Sequence, residues 1–303
     1  MNRHCSILLV LGLAIGYSAV ASAEQRYPAQ GLVLDLDRSR NAMVVSCQAI
    51  TGFMDAMVMR LSMRDGKSID AIRRGALIDF DLVVDKDSSH AENIRIRKYA
   101  AIEREPSKAR RLQGLEEDLR GASHLLSVGQ PVPDFVLTDQ TRRPVHFSQF
   151  AGKVVAVNFI YTRCVLPEYC FRSSNNFGIL QKRFAGQLGR DLVLLSVSFD
   201  PVHDQPEVLQ NYARTWKSDP EKWHFLTGPA AGVQKVCNLF GVNFVPDEGL
   251  YIHSLHTALV GRDGKLVVNL EGNEFTAQQL GDLVNATLNR DKNYRSQSTP
   301  GWR

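Results

Sequence analysis

This sequence contains few cysteines and carries little net charge. The 303 residues include five cysteines, and the formal net charge is +4. No basic stripe accompanies that small excess of charge, so nucleic-acid binding is not indicated. Beyond the first two dozen residues there is no apolar run of the roughly 20 residues that a membrane-spanning helix needs. With 44% hydrophobic residues, the chain has the composition of a globular protein, and its length allows about two domains.

The segment Met1–Ala23 has the features of a secretory signal peptide. A positive charge at Arg3 precedes an apolar run and an Ala-Ser-Ala cleavage site before Glu24. We therefore expect a periplasmic protein, soluble after cleavage, with its thiols in an oxidising compartment. An uncleaved N-terminal membrane anchor is the alternative. Cys5 would leave with the signal and is excluded from the chemistry.

Two cysteines, Cys164 and Cys170, lie five residues apart between a predicted strand and a predicted helix. The apolar run Lys153–Tyr161 predicts a buried strand, and the run from Arg172 to Leu188 has the spacing of a helix. Open α/β sheets bind ligands at the C-terminal ends of their strands. A helix N-terminus also lowers the pKa of a thiol and favours the thiolate. The pair is therefore a candidate reactive or metal-binding site.

Three interpretations of this pair remain open. An exported protein can carry a structural disulfide, or the two thiols can be a catalytic redox pair, although the spacing exceeds that of C-x-x-C. Two thiolates also select Cu(I) or zinc, and imidazole is the usual further ligand. The predicted strand–turn–strand Tyr251–Val268 offers His253 and His256. On one strand they would face opposite sides, so at most one could face the cysteines.

Four motifs in Gly129–Leu288 resemble the Sco/SenC family of copper chaperones for cytochrome c oxidase. They are GQPVPDFVLTDQ, NFIYTRCVLPEYC, SVSFDPVHDQPEVLQNYA and HSLHTALVGRDGKLV. The resemblance implies a thioredoxin-like α/β fold and copper ligation by Cys164, Cys170 and His253. Val165 and Phe171 depart from the family pattern, which would place a proline beside each cysteine.

The segment Gln25–Ile102 is predicted to be a separate domain. Five short apolar runs alternate with turn sequences, and five strands in about 80 residues indicate a small closed barrel that leaves no sheet edge exposed. The predicted strands are Leu32–Leu36, Met43–Cys47, Met57–Met63, Leu77–Val84 and Ile94–Arg97.

Apart from Met1, all the methionines of the chain fall between Met43 and Met63. Met57 and Met59 would point to one face of a strand, so two thioethers can converge there. Together with the Cys47 thiol they would suit Cu(I). The alternative is that these methionines fill a core, as methionine commonly does.

The stretch GLVLDLDRSRNAMVVSCQAITGFMDAMVMRLSM resembles a CusF-like periplasmic copper-binding domain, an OB-type barrel. That family binds Cu(I) through a histidine and the two methionines of M-x-M, with a tryptophan stacked on the metal. The resemblance implies that Met57 and Met59 are ligands. Cys47 stands near the place of the histidine and Met54 near that of the tryptophan.

Between the two domains, Glu103–Val128 is highly charged and predicts a solvated helix, and residues 291–303 form a polar tail. The chain as a whole is expected to be an exported two-domain copper protein that serves cytochrome c oxidase. It would deliver copper to the binuclear copper centre or keep the cysteines of that centre reduced. Cu(I) is expected at both sites, with Cu(II) an alternative at the second. The rival functions are a thioredoxin-like thiol-disulfide reductase acting through Cys164 and Cys170, and copper buffering or resistance.

Overall fold

A computed structural model describes residues 24–64, 68–85, 88–97 and 125–297. The signal peptide predicted at Met1–Ala23 and nearly all of the predicted linker helix lie outside these ranges. The last linker residues, Leu125–Val128, are not helical. Among the described residues, none of the helices combines the length and apolarity that a membrane crossing requires.

The N-terminal part is a closed five-stranded barrel, as the sequence predicted for a small all-β domain. Its strand order is β1-β2-β3-β5-β4, with β3 and β5 parallel and every other pair antiparallel. A short helix α1 (Ser68–Ala71) follows β3. The strands are β1 (Gln25–Asp37), β2 (Ala42–Cys47), β3 (Met57–Met63), β4 (Leu77–Val84) and β5 (Ser89–Ile96).

Three strands match their predicted cores, whereas β1 and β5 begin earlier than the sequence indicated. The first half of β1 pairs with β4 and closes the barrel. That pairing is long-range, so local patterning around Gln25 gives no sign of it.

The C-terminal part is an α/β unit built on a seven-stranded sheet of order β14-β13-β8-β9-β10-β6-β7. The three central strands β8, β9 and β10 are parallel. The flanking strands β13 and β6 are antiparallel to them, and the edge strands β14 and β7 are antiparallel to those flanking strands. Strands β8 and β9 are buried at every residue, which is typical of parallel strands covered on both faces. The strands are β6 (Val136–Asp139), β7 (Pro144–His146), β8 (Val154–Ile160), β9 (Leu192–Ser198), β10 (Trp223–Thr227), β13 (His256–Val260) and β14 (Leu266–Glu271).

Four helices accompany this sheet: α2 (Arg172–Arg183), α3 (Pro206–Thr215), α4 (Ala230–Leu239) and α5 (Ala277–Gln297). The α/β prediction for this half is confirmed. Helix α5 continues past residue 290, where the sequence suggested that the domain ends. A separate two-stranded hairpin, β11 (Phe244–Asp247) and β12 (Leu250–His253), is not hydrogen-bonded to the main sheet.

The barrel packs against α5 and β14. Ser46 of β2 donates a buried hydrogen bond to Asp282 of α5 at 2.7 Å, and Arg183 contacts the other oxygen of that carboxylate. Gly75 approaches β14 so closely that an added Cβ would lie 2.2 Å from the Val268 side chain. The two units therefore share a tight, partly polar interface.

Candidate metal centre

Cys164, Cys170 and His253 come together at the edge of the sheet beyond the C-terminal end of β8. One potential ligand atom from each residue lies within 4.8 Å of the other two. The Cys170 Sγ is 4.0 Å from the His253 Nε2. The structure thus places the three residues that the sequence singled out in one site with two sulfurs and one imidazole nitrogen.

The loop after β8 positions the two cysteines differently. Cys164 sits in a turn where its backbone N–H donates to the Tyr161 carbonyl at 3.3 Å. Pro167 opens a π-helical turn, Pro167–Phe171, that is kinked at Tyr169 and leads into α2. Cys170 is buried within that turn, whereas Cys164 is partly exposed. One sulfur is therefore accessible to a partner and the other is held inside.

The hairpin β11–β12 brings His253 to the cysteines. Its turn residues Glu248 and Gly249 both have positive φ, the geometry of a tight hairpin turn. The His253 Nδ1 lies 3.0 Å from the Ser254 carbonyl. Because a carbonyl can only accept, this contact assigns the ring proton to Nδ1 and leaves the Nε2 lone pair facing Cys170.

Aromatic rings surround the imidazole of His253. Its ring centroid lies 4.8 Å from that of Phe199, 5.6 Å from that of Tyr161 and 6.1 Å from that of Tyr169. These rings exclude water from one side of the site, and electrostatic interactions are stronger there than in bulk water.

The two thiols have opposite protonation tendencies. A hydrogen bond from Cys170 lowers the pKa of Cys164 to about 4. Burial, together with the nearby Cys164 sulfur, raises the pKa of Cys170 well above its ordinary value. At neutral pH the metal-free site therefore contains one thiolate and one thiol, and the thiolate is the partly exposed sulfur that a metal or a disulfide would meet first.

A buried carboxylate supports the loop just before Cys164. Asp204 accepts hydrogen bonds from the backbone N–H of Thr162 at 2.9 Å, from the Thr162 hydroxyl at 2.5 Å and from the Ser198 hydroxyl at 2.5 Å. Burial raises the pKa of Asp204 above its usual range. The sequence predicted that the cysteine loop follows a strand, but it did not indicate that Asp204 supports this loop.

The expectation that His253 and His256 share one strand was wrong. The chain leaves one sheet at His253 and enters the main sheet at His256, with Ser254 and Leu255 between them. His256 instead contacts the Asn269 side-chain oxygen at 3.2 Å, and burial lowers its pKa to about 4. The two histidines are therefore separated by a change of sheet.

The predicted sulfur cluster of the barrel lies at one end of β2 and β3. Cys47 and Met57 are directly paired across the two strands. Met59 pairs with Val45, two residues further along the ladder. Directly paired residues of an antiparallel ladder share a face. Met57 is 48% exposed, Met54 and Met59 are half-buried against the barrel core, and Cys47 is buried. Burial raises the pKa of Cys47 to about 12.

An aromatic pair beside this cluster was missed at the level of sequence. The Phe53 ring stacks on Tyr27 with centroids 3.8 Å apart and an interplanar angle of 16°. Tyr27 also packs against the barrel core. Local sequence around Phe53 could not reveal the pair, because its partner Tyr27 lies near the start of β1.

A second group of potential ligands, also not foreseen, consists of Glu24, His90 and Glu92. Both carboxylates form ion pairs with Arg26 and Arg64, at distances from 2.7 to 3.6 Å. Two guanidinium groups already balance these charges, so the arrangement is that of a salt-bridge network. The remaining described thiol, Cys237, is buried in α4, and burial raises its pKa.

Comparison with known proteins adds three findings. The SCO1/SenC family model matches residues 127–288. The "SCO1 protein homolog" of Bacillus subtilis is 28% identical over 149 residues, which are 48% of this chain and 76% of that protein. A structure of Bradyrhizobium japonicum ScoI with copper bound is similar at 25% identity and a TM-score of 0.43, covering 52% of this chain and 99% of the other.

The matched region contains the whole cysteine–histidine site and the α/β unit that holds it. It also spans more than half of the chain, from just before β6 to within α5. The chain therefore belongs to the SCO1/SenC family.

Proposed function

We propose that this chain is an exported copper-binding protein that uses Cys164, Cys170 and His253 as copper ligands. The observation that carries the proposal is the convergence of two sulfurs and one imidazole nitrogen within 4.8 Å. Sulfur and imidazole donors suit Cu(I), and an imidazole also suits Cu(II). Of the two cysteines, Cys164 is already a thiolate, so Cys170 is the one that must be deprotonated on binding.

The biological role that we propose is assembly of the binuclear copper centre of cytochrome c oxidase. Membership of the SCO1/SenC family supports this role, either by delivering copper or by keeping the cysteines of that centre reduced. The partly exposed Cys164 suits both copper delivery and thiol reduction, because it can pass a metal to an incoming thiol or attack a disulfide.

A thiol-disulfide reductase is the second candidate function. The pairing of an accessible low-pKa Cys164 with a buried Cys170 favours it, since the first sulfur can attack a disulfide and the second can resolve the mixed disulfide. Such an enzyme would need both cysteines but would not need His253. The two functions are therefore separable by a single substitution.

The test is a Cu(I) titration of the full chain under reducing conditions, with His253→Ala as the deciding variant. We expect wild type to bind copper with both cysteines and to lose affinity when the imidazole is removed. Wild-type copper affinity in His253→Ala would exclude His253 as a ligand. If both proteins also reduce a model disulfide rapidly, the reductase function is favoured over the copper function.

We further propose that the barrel is a CusF-like, OB-type domain that binds a second Cu(I). Its strand order, with one parallel pair between β3 and β5, supports the OB-type assignment. The shared face of Cys47, Met57 and Met59, with Met54 close by, supports the site, since thiol and thioether sulfur are soft donors. In this proposal the barrel buffers copper or supplies it to the second domain.

One segment contacts residues close to the proposed ligands of both copper sites and supports an exchange between them. The Asn273 amide donates to the Glu168 carbonyl in the cysteine loop. A few residues later, Gln278 donates to the Ala56 carbonyl at 3.0 Å and Gln279 to the Ser46 carbonyl at 3.0 Å. Ala56 and Ser46 directly precede Met57 and Cys47, so a stretch of at most about 21 Å joins the surroundings of the two sites.

A further inference from the structure

The hairpin that carries His253 needs an anchor. Strands β11 and β12 pair only with each other among the described strands, and not with the seven-stranded sheet. An isolated two-stranded hairpin is marginally stable in water. The position of this hairpin therefore depends on its contacts with neighbouring elements, which include the packing of His253 against Phe199 and Tyr161 and the polar contacts that join the hairpin to the loop after β8.

A fully buried carboxylate lies where these two elements meet. Asp200, directly after β9, is 0% exposed. Its Oδ2 accepts hydrogen bonds from two nitrogens of Arg163, at 2.7 Å from Nη2 and 3.1 Å from Nε. Its Oδ1 accepts from the Tyr251 hydroxyl at 3.3 Å and lies 3.0 Å from the His203 Nδ1.

Two of the three side-chain partners of this carboxylate, Arg163 and Tyr251, are close in sequence to a candidate ligand. Arg163 precedes Cys164, and Tyr251 lies two residues before His253 on β12. Arg163 also reaches the hairpin turn directly, because its Nη1 donates to the Gly249 carbonyl at 2.8 Å. One carboxylate and one guanidinium thus join the cysteine segment to the histidine segment at two points.

We propose that Asp200 is a positioning residue for the metal centre, which acts through Arg163 and Tyr251 to hold His253 at a fixed distance from the cysteines. The inference rests on the proposed copper function. Hydrogen bonds between charged groups are stronger and more directional than neutral ones. Supporting residues of this kind typically change metal affinity by roughly 10- to 100-fold when they are lost.

The ordinary alternative is that Asp200 contributes only to folding. The chain offers a matched control in Asp139, which is also 0% exposed and also paired with an arginine, Arg143, at 3.3 Å. Asp139 lies at the end of β6, near the other edge of the sheet from β13 and away from the cysteine loop. A purely structural role predicts that Asp200→Asn and Asp139→Asn behave alike.

The experiment compares Asp200→Asn with Asp139→Asn in the full-length chain. We expect both variants to unfold at lower temperature than wild type. Only Asp200→Asn should weaken Cu(I) binding, by about 10- to 100-fold, and alter the Cu(II) electronic and magnetic resonance spectra. Wild-type affinity and spectra in Asp200→Asn, or equal losses in both variants, would overturn the inference.

A metal-free measurement and a milder variant complete the test. Amide hydrogen exchange of Phe244–His253 in the apo protein should accelerate in Asp200→Asn and remain at the wild-type rate in Asp139→Asn. Arg163→Lys keeps the charge on a partly exposed side chain, but it lacks the planar fork of donors with which Arg163 contacts both Asp200 and Gly249. We expect it to reproduce the spectral change with little loss of stability, and an unchanged spectrum would contradict the proposal. Failure of wild type to bind copper would instead overturn the proposed function on which the inference rests.

Discussion

The two clusters of soft donor atoms in this chain are built on different principles. At the cysteine–histidine site, buried groups fix the loop and the hairpin, and one sulfur is already a thiolate. At the barrel end, two strands bring Cys47, Met57 and Met59 to one face, but Met57 is nearly half exposed and the Cys47 thiol has a pKa raised to about 12.

The contrast indicates different affinities and different readiness to release metal. Each site contains one thiol with a raised pKa that must give up its proton, but the cysteine pair also offers a second sulfur that is already a thiolate. If both sites bind copper as proposed, we expect the barrel to hold it more loosely and the cysteine pair more tightly. Substitutions at each site can test that difference.

The largest effect on copper affinity is expected from the loss of either Cys164 or Cys170. In Cys164→Ser or Cys170→Ser, a single sulfur and His253 leave too few soft donors for Cu(I). The loss of affinity at that site should exceed the roughly 100-fold upper range for a lost supporting group. Competition titration with a Cu(I) chelator measures this directly, and wild-type affinity in either variant would exclude a two-sulfur site.

The next largest loss of copper affinity is expected from His253→Ala, and its neighbour His256 should not share it. His253→Ala removes the nitrogen that faces Cys170 and should weaken copper binding and change the Cu(II) spectrum. His256→Ala is the matched control, because its ring contacts Asn269 in the main sheet. The same loss in both variants would indicate that folding, and not ligation, is affected.

The pH dependence of Cu(I) binding should reveal how many protons each site releases. With a pKa of about 4, Cys164 is already a thiolate near neutral pH, whereas the pKa of Cys170 is raised. Binding there should therefore release one proton, and affinity should rise about tenfold per pH unit between about pH 7 and pH 8. A hundredfold rise per unit would mean that both thiols are protonated.

The Cu(I) affinity of the barrel site should have the same dependence on pH, because one thiol there must also lose a proton. In a chain that carries Cys164→Ser and Cys170→Ser, only Cys47 has a proton to lose, since thioethers do not ionise. Affinity should again rise about tenfold per pH unit, and Cys47→Ser should abolish that dependence. A pH-dependent affinity that survives Cys47→Ser would exclude this thiol as a ligand.

The smallest effect is expected from single methionines of the barrel. Met57→Ile and Met59→Ile should each weaken the barrel Cu(I) site several-fold, because each removes one thioether. Met63→Ile is the control, since Met63 lies on the same strand but is buried deeper in the core. Protein stability should fall least in Met57→Ile, whose side chain is largely exposed. Equal affinity in all three variants would assign these methionines to packing alone.

Sequence alone determined where several strands lie and the chemical type of both donor clusters. Alternation and apolar runs predicted β2, β3 and β8 closely, because their side-chain pattern is a local property. The same patterning placed Met57 and Met59 on one face. The spacing of Cys164 and Cys170 between a strand and a helix identified a candidate site without any knowledge of the fold.

Only the tertiary structure decided which histidine meets the cysteines and what holds it there. The first strand of the predicted strand–turn–strand Tyr251–Val268 is divided between two sheets, because His253 pairs with Phe244 while Thr257 pairs with Asn158 of β8. The contacts of Asp200 with Arg163 and Tyr251 join residues 37 and 51 positions away in sequence. Such long-range pairings depend on how whole elements pack, and no local pattern of residues records them.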